Sequence, residues 1–327
     1  MYEVSMKGKH EVIVSNRDVK FTFTLNRNIT VVRGKSATGK TTLYEMIAEY
    51  TRLGDKSGVN IKCDKKCAAI VYEDWLGALK KIKDSIVFID EDQDFVNSHE
   101  FAQAAKNSDN YYVIFNREGM HELPYSVEEI YEIRSKGKYH TFSKMYRFDD
   151  NHLLTGRNRR TVKNDIFLTE DSGAGFEFYR NYFKDSDIIC ASSSSNSNIF
   201  SFLKEHKDKK ILIVADGAAF GSEIDRVIKL QDTVNFRLYL PESFEWLILR
   251  SGLIKSDELG SMLDDPSEHI ESSEHFSWEI FFEKYLIKAT KDKVNKRFKY
   301  EKGHINPIYL IAVHSKEIVK EIFPETE

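Results

Sequence analysis

Short continuous runs of apolar residues recur in the first part of the chain, and polar residues follow each run. Three of these runs cover residues 29–32, 86–89 and 111–115. Runs of this length, rich in β-branched side chains, are typical of strands that are covered on both faces, as in a parallel sheet. After the first run, apolar residues at helical spacing predict a helix from Lys40 to about Arg52. The pattern therefore predicts an α/β domain with a parallel sheet.

Two other stretches of the first domain alternate between apolar and polar residues. Residues 11–25 contain two strand-like segments, and the second alternates strictly. Residues 130–148 alternate around a Ser-Lys-Gly-Lys turn. Such alternation is typical of strands with one solvated face, so the pattern predicts a hairpin near the start and a second hairpin that closes the domain.

A second series of alternating strands and helices begins at Asp165, and it predicts another, smaller parallel sheet. Its predicted strands cover residues 166–169, 187–191, 210–215 and 234–240. Its predicted helices cover residues 176–183, 199–207 and 222–230. Further helices are predicted from Phe276 to Ala289 and from Ile308 to Phe323.

The chain therefore divides into four predicted parts. They are a first domain at 1–150, a basic linker at 151–164, a second α/β domain at 165–255 and a helical C-terminal segment at 256–327. The linker carries no apolar period, so it is either a solvated connection or a contact for a phosphate backbone.

Composition restricts the class of protein further. The 48 Lys and Arg residues against 52 Asp and Glu residues give a net charge of −4, which argues against a generally basic nucleic-acid-binding surface. No apolar run approaches 18 residues and no signal pattern opens the chain, so we expect a cytoplasmic protein without a membrane span. Three cysteines suit a reducing compartment, and the Cys63–Cys67 spacing leaves a zinc site as a minor alternative to a simple turn.

The loop after the first apolar run has the pattern of a phosphate-binding P-loop. Residues 34–41 read GKSATGKT and match G-x-x-x-x-G-K-[ST] between a predicted strand and a predicted helix. In such a loop the backbone N–H groups and the helix N-terminus hold phosphate oxygens, the lysine reaches the β- and γ-phosphates, and the hydroxyl binds Mg²⁺. The predicted ATP-binding residues are Gly34, Lys35, Ser36, Ala37, Thr38, Gly39, Lys40, Thr41 and Thr42.

Polar side chains at two further strand ends complete the predicted site. The run 86–89 ends in Asp90-Glu91, which predicts Asp90 as a Mg²⁺ ligand and Glu91 as the group that polarises the attacking water. A solvated acidic turn after a buried strand is the alternative. The run 111–115 ends in Asn116-Arg117, and either residue is a candidate for sensing the γ-phosphate.

The stretch Leu-Asn-Arg-Asn-Ile-Thr-Val-Val-Arg-Gly, preceded by a predicted hairpin, resembles ATPases of the ABC and SMC type. The chain between Lys40 and Asp90 is too short for the helical arm of an ABC ATPase, and no Leu-Ser-Gly-Gly signature is present. Compact AAA-like and Zot-like proteins share the remaining features, and the sequence does not choose among them.

The second domain resembles the topoisomerase–primase (Toprim) fold. An acidic residue, Glu170, follows its first predicted strand, and Asp216 follows its third. The phrase Leu-Pro-Glu-Ser-Phe-Glu-Trp is similar to a segment of Toprim nucleases of the overcoming-lysogenization-defect group, in which an ATPase precedes the Toprim domain. The resemblance implies Mg²⁺ on Glu170 and Asp216. The Toprim pattern has a second Asp where this chain has Ala218, so Glu223 or Asp225 would have to replace it.

The leading hypothesis is a Mg²⁺-dependent, homo-oligomeric ATPase whose nucleotide state controls a Toprim-like domain that acts on nucleic acid. Its resemblance to anti-phage ATPase–Toprim proteins implies a role in phage defence or in a mobile element. The rival hypothesis is a nucleotide-gated sensor whose catalytically silent second domain recruits a partner protein. A small-molecule kinase is disfavoured, because Asp-Glu at the strand end suits a water nucleophile.

Overall fold

The computed structural model describes residues 8–34, 38–71, 74–146, 153–155 and 164–323. It shows an α/β protein with two mixed sheets, which confirms the predicted class, although neither sheet is wholly parallel. The contacts group the chain into two units. Unit 1 contains the chain up to Tyr146 together with Asp265–Phe276, and unit 2 contains 147–264 and the chain from Ser277 onward.

Unit 1 consists of nine strands and three helices in its described part. The strands are β1 (His10–Ser15), β2 (Lys20–Leu25), β3 (Ile29–Arg33), β4 (Asn60–Lys62), β5 (Lys66–Ala69), β6 (Ser85–Ile89), β7 (Tyr111–Phe115), β8 (Ile130–Lys136) and β9 (Tyr139–Lys144). The helices are α1 (Lys40–Leu53), α2 (Trp75–Lys81) and α3 (His99–Lys106). The three predicted buried strands are β3, β6 and β7, and every residue of each is buried.

The strands of unit 1 form one sheet in the order β4-β1-β2-β9-β8-β3-β7-β6-β5. The last five strands in this order are parallel to one another, while β1 and β2 form the predicted antiparallel hairpin. Strands β8 and β9 form the second predicted hairpin. Because β3, β7 and β6 are parallel neighbours, their carboxyl ends, which carry the predicted phosphate loop and acids, lie at one edge of the sheet.

The sheet of unit 1 is strongly curled. Strands β4 and β5 stand at its two ends, yet only residues 63–65 separate them in sequence. A chain spans at most about 3.6 Å per residue, so this edge-joining turn, residues 63–65, keeps the two ends within roughly 14 Å. Phe23 of β2 contacts Phe88 of β6, with ring centroids 6.4 Å apart. Both rings belong to a core that includes Leu43 and Ile47 of α1, so α1 packs against strands from both ends of the sheet.

Unit 2 contains the second sheet. Its strands are β10 (Leu153–Thr155), β11 (Ile166–Thr169), β12 (Ile189–Ser192), β13 (Lys210–Val214) and β14 (Asn235–Tyr239). Its helices are α4 (Ala174–Tyr182), α5 (Asn196–Glu205), α6 (Ile224–Ile228), α7 (Phe244–Arg250), α8 (Leu259–Asp264), α9 (Trp278–Ala289) and α10 (Ala312–Val319). The sheet order is β10-β14-β13-β11-β12, and all pairs except β10–β14 are parallel.

Two predicted segments differ from the structure. Part of the predicted linker forms strand β10, which pairs with β14; most of the rest of residues 151–164 lies outside the described residues. The predicted helix from Ile308 to Phe323 is shorter and interrupted. Pro307–Leu310 forms a 3₁₀ turn, and α10 starts only at Ala312, after Ile311 has adopted an extended conformation. Proline favours the start of a helical turn, which explains the separate short element.

Residues 265–276, which the sequence assigned to the C-terminal segment, pack on unit 1. Glu271 of this segment accepts a hydrogen bond from the Tyr111 hydroxyl at 2.7 Å. The Phe276 carbonyl accepts one from Asn28 Nδ2 at 3.5 Å. Lys9 forms an ion pair with Glu268 at 3.4 Å. The segment is therefore part of the unit 1 fold although both of its neighbours along the chain belong to unit 2.

None of the helices α1–α10, taken over the part of the chain that is described, has the length and apolar character needed to cross a bilayer.

Candidate nucleotide site and second acidic site

The loop between β3 and α1 is bounded by two glycines in the left-handed region. Gly34 has a φ of 135° and Gly39 a φ of 99°. A side chain at either position would be strained, whereas glycine adopts these angles readily. Gly39 is the N-cap residue of α1. Lys35, Ser36 and Ala37, which were predicted to contact phosphate, lie outside the described residues.

Lys40 opens helix α1 and points back toward the loop. Its side chain is buried, and Nζ donates a hydrogen bond to the Gly34 carbonyl at 2.6 Å. Nζ also lies 3.5 Å from Glu91 Oε2. Thr38 is partly exposed, while Thr41 and Thr42 in the first turn of α1 are exposed. The first turn of α1 carries no acidic residue, so no side chain of that turn competes with an anionic ligand for its N–H groups.

Asp90 and Glu91 follow β6 and differ in their electrostatic surroundings. Burial raises the pKa of Asp90, and the charge of Asp92 adds to this shift. Asp90 Oδ1 accepts a hydrogen bond from the Glu91 backbone N–H at 2.9 Å. The Glu91 carboxylate instead contacts cations. Its hydrogen bonds with Arg117, assisted by the charge of Lys40, lower the pKa of Glu91.

The contact between Glu91 and Arg117 is bidentate. Arg117 Nη2 lies 2.6 Å from Glu91 Oε1, and Nε lies 3.2 Å from Oε2. Bidentate guanidinium–carboxylate pairs are among the stronger charge-assisted hydrogen bonds. The Arg117 side chain is 63% exposed, against 17% for Glu91. The structure therefore brings Lys40, Glu91 and Arg117 together, and it shows that Arg117 contacts the acid directly.

Asn116 occupies a different position at the end of β7. It is buried, and its backbone N–H donates to the Val32 carbonyl of β3 at 3.3 Å. Its Oδ1 accepts a hydrogen bond from the Glu118 N–H at 3.2 Å. Its Nδ2 is buried and finds no partner among the described residues. A buried donor without a partner is uncommon, so this amide group requires an explanation.

Sequence reasoning missed Tyr44 of α1. The Tyr44 hydroxyl donates to the Ile70 carbonyl at 2.6 Å, which connects α1 to the residue after β5. Burial raises the pKa of Tyr44, and the charge of Asp90 contributes. Tyr44 therefore lies close to the predicted magnesium ligand. Its position four residues after Lys40, on the next turn of α1, was the available signal.

The second acidic site lies at the carboxyl ends of β11 and β13, which are adjacent parallel strands. Glu170 follows β11, and Asp216 lies two residues after β13. Burial, reinforced by the charge of Glu279, raises the pKa of Glu170 to about 8. Burial also raises the pKa of Asp216, with Glu170 as the largest charge contribution. Glu170 Oε2 is buried and has no hydrogen-bond partner within the described ranges.

Two further acids that the sequence analysis did not name act on this pair. Glu279 of α9 and Glu245 of α7 act on the pKa of Asp216. Glu223, one suggested replacement for the missing aspartate, is buried and forms an ion pair with Arg226 at 3.1 Å. Glu279 lies in the first turn of α9, and a predicted range for that helix does not show which strand end it reaches, so Glu279 was overlooked.

Two of the surrounding acids have hydrogen-bond donors of their own. Glu245 Oε1 accepts from the Tyr300 hydroxyl at 2.7 Å. Asp171, next to Glu170, accepts from the backbone N–H groups of Gly173 and Gly175 at 2.7 and 2.6 Å. These bonds satisfy backbone donors at the start of α4, so Asp171 has a structural role.

The fit of Mg²⁺ can be tested against these groups. Over the described residues, no group of three or more His, Cys, Asp or Glu side chains is arranged to hold a metal ion. Mg²⁺ commonly binds through one or two carboxylates, with water and phosphate oxygens as its other ligands. Thr41 with Asp90 in unit 1, and Glu170 with Asp216 in unit 2, supply oxygen ligands of this kind.

Comparison with known proteins adds no family. No protein-family model matches the chain, and no curated protein matches it.

Proposed function

We propose that unit 1 binds and hydrolyses ATP at the carboxyl edge of its sheet. The observation that carries the proposal is the convergence of Lys40, Glu91 and Arg117 beside a loop with two left-handed glycines. Lysine at a helix N-terminus favours a polyphosphate, and an acid at a neighbouring strand end suits a water nucleophile.

Each residue has a distinct proposed role. The loop and the start of α1 hold the phosphates, Lys40 reaches the β- and γ-phosphates, and Glu91 orients the attacking water. Thr41 and Asp90 would hold Mg²⁺, which when bound screens the phosphate charge. The buried Asn116 amide, which lacks a partner among the described residues, would donate to the γ-phosphate.

Lys40 has to exchange partners when the nucleotide binds. In the structure its ammonium group donates to the Gly34 carbonyl and lies near Glu91. Phosphate oxygens are stronger acceptors for an ammonium group than a backbone carbonyl. We expect Lys40 to turn toward the phosphates and Arg117 to remain as the main cation on Glu91. Arg117 then acts through Glu91. Its positive charge offsets the negative charge of Glu91 and so reduces the repulsion between Glu91 and the phosphates.

Calorimetry with MgATP tests the proposal. Wild-type protein should release or absorb heat with a saturable curve, and Lys40→Ala should weaken binding by about 100-fold, since charge-assisted bonds contribute about 1.5–3 kcal/mol. Lys80→Ala, on the exposed face of α2, is the matched control and should bind like wild type. No heat from the wild type, or equal heat from Lys40→Ala, would refute ATP binding at this loop.

For unit 2 we propose a Toprim-like role on nucleic acid, controlled by the nucleotide state of unit 1. The neighbouring Glu170 and Asp216 support this role, and Glu279 is the residue that we propose in place of the missing second aspartate. Metal-assisted phosphodiester cleavage needs acids that place a cation against the attacking and leaving oxygens. A cytoplasmic, homo-oligomeric phage-defence protein remains a proposal by analogy with the domain pairing.

Plasmid cleavage separates this role from the rival sensor. With Mn²⁺ and ATP, wild-type protein should cut plasmid DNA, and Glu170→Ala and Glu279→Gln should each abolish cutting. Glu274→Gln, an exposed acid in the part of unit 1 that includes 265–276, is the control. If no nucleotide supports cleavage by the wild type, the nuclease role is excluded and the partner-recruiting sensor is the better proposal.

A further inference from the structure

Two of the three cysteines lie in or next to the edge-joining turn of unit 1, residues 63–65. Cys63 is the first residue after β4, and Cys67 lies in β5. These strands are the two ends of the curled sheet. The cysteine pair is therefore placed where a local covalent change would act on both ends of the sheet at once.

The side chains of Cys63 and Cys67 pack in the same region of unit 1 and are four residues apart in sequence. Cys67 is buried in the core of unit 1, and Cys63 is partly buried against the same core. Cys63 Sγ also contacts Asp64 Oδ1 at 3.3 Å. Asp64 is in turn held by His10 Nδ1 at 2.7 Å, so the environment of Cys63 is defined by fixed neighbours.

The surroundings make the two thiols unequal. The hydrogen bond from Cys67 lowers the pKa of Cys63. The pKa of Cys67 is raised instead, because the same hydrogen bond and burial both favour its protonated form. A partly exposed cysteine with a lowered pKa next to a second thiol is the usual arrangement of an attacking cysteine and a resolving cysteine.

We propose that Cys63 and Cys67 are a redox-modification site, at which a hydroperoxide converts the two thiols into a reversible disulfide. The Cys63 thiolate attacks one peroxide oxygen, the O–O bond breaks, and a sulfenic acid forms as hydroxide or alkoxide leaves. The Cys67 sulfur then attacks Cys63 Sγ, the S–O bond breaks, and water leaves with the thiol proton. The thiols lose two electrons, the peroxide gains them, and a dithiol reductant reverses the change.

The modification would be transmitted to α1. The Ala69 N–H at the end of β5 donates to Thr51 Oγ1 at 3.0 Å, and the Tyr44 hydroxyl donates to the Ile70 carbonyl. A disulfide at Cys67 fixes the start of this strand. We expect slower amide hydrogen exchange in β5 and in the second half of α1 after oxidation, because β5 has fewer accessible conformations.

Cys190 provides an internal control. It lies in β12 of unit 2, and burial raises the pKa of Cys190 to about 11. It should stay a thiol under mild oxidation, because a protonated sulfur attacks the peroxide only slowly.

The experiment treats reduced full-length protein with a small excess of hydrogen peroxide and counts thiols by alkylation and intact mass. Wild type should fall from three alkylatable thiols to one, with a loss of two hydrogen atoms and a Cys63–Cys67 peptide pair in a non-reducing digest. Cys190→Ser should form the same pair. Cys67→Ser should stop at a sulfenic acid on Cys63, which dimedone traps, and Cys63→Ser should keep Cys67 reduced.

Other outcomes would overturn the proposal. Three remaining thiols in the wild type, sulfinic acid on Cys63 without a crosslink, or disulfides between two chains would each contradict it. Stoichiometric zinc in the purified protein that is lost in both Cys63→Ser and Cys67→Ser would identify a metal site instead. The readout needs no nucleotide, so it is independent of the proposed ATPase activity.

Discussion

Unit 1 and unit 2 both place acids at the carboxyl ends of parallel strands, but the pKa values of Glu91 in unit 1 and Glu170 in unit 2 are shifted in opposite directions. In unit 1, Arg117 and Lys40 lower the pKa of Glu91. In unit 2, burial and neighbouring carboxylates raise the pKa of Glu170 to about 8. A carboxylate balanced by cations can stand next to an anionic ligand. Buried acids that repel one another favour a proton or a cation. We therefore propose that Glu91 faces an anionic ligand and that Glu170 faces a cation.

The largest expected effect tests the acid of unit 1. Glu91→Gln should lower the ATP turnover rate by about 10²–10⁴-fold, because the side chain can no longer accept a proton from water. ATP affinity should stay equal or rise, since Lys40 loses a competing partner. The rate of phosphate release measures ATP turnover, and equilibrium binding measures ATP affinity. Asp94→Asn, an exposed acid further along the chain, should leave both unchanged. Full turnover in Glu91→Gln would exclude Glu91 as the catalytic group.

A double-mutant cycle distinguishes the two residues at the end of β7. Asn116→Ala should weaken binding of a non-hydrolysable ATP analogue by about 10-fold and leave ADP binding unchanged, because it removes one γ-phosphate bond. Arg117→Ala should weaken the binding of both nucleotides, because the Glu91 charge is then unbalanced.

The cycle is completed in the Glu91→Gln background. There Arg117→Ala should have no further effect on either nucleotide, because Arg117 acts through the Glu91 charge. Fluorescent-nucleotide titration measures all of these constants, and Arg117→Lys should restore part of the affinity. If Arg117→Ala still selectively weakened the ATP analogue with Gln at position 91, Arg117 would be the phosphate sensor instead.

The pH dependence of stability tests unit 2. The folded-state pKa of Glu170, about 8, lies above its unfolded value of about 4.3, so the folded state binds the proton more tightly. The resulting stabilisation is complete below about pH 4 and is lost as the pH rises through about 8. Wild type should therefore melt about 5 °C lower at pH 8.5 than at pH 6, and Glu170→Gln should reduce this difference.

Scanning calorimetry with an added cation also tests the raised pKa of Glu170. Mn²⁺ should raise the melting temperature more at pH 8.5 than at pH 6, because it binds the ionised acids. Equal melting of wild type and Glu170→Gln at every pH would contradict the raised pKa.

The smallest expected effect concerns the Tyr300 hydroxyl in unit 2, which is an uncharged hydrogen-bond donor. Tyr300→Phe removes the hydroxyl that donates to Glu245 and should lower the free energy of unfolding by about 1 kcal/mol. Burial raises the pKa of Glu245 and the Tyr300 hydrogen bond opposes that rise, so the loss should grow as the pH rises and Glu245 ionises. Urea unfolding measures this change in the free energy of unfolding. Tyr285→Phe, which loses only an exposed bond with Ser256, should change stability less.

Local sequence pattern predicted the fully buried strands well, but it missed β4 and β10 and the long-range contacts. The range 111–115 was predicted exactly because a run of apolar residues between turns defines a buried strand by itself. The Glu91–Arg117 pair was not predicted, since two strand ends define an edge but not which side chains meet. Glu279 was missed for the same reason. The curl of the sheet became visible only once the pairing of β4 with β1 was known.

The attachment of residues 265–276 limits how the two halves of the protein can be studied separately. A fragment ending near Tyr146 would lack the carboxylate that accepts the Tyr111 hydroxyl and the backbone oxygen that accepts Asn28. Such a truncated protein would expose the base of β7 and fold poorly even with an intact loop at 34–41. Fragments for nucleotide work should carry this peptide, either grafted through a short Gly/Ser connection or added in trans.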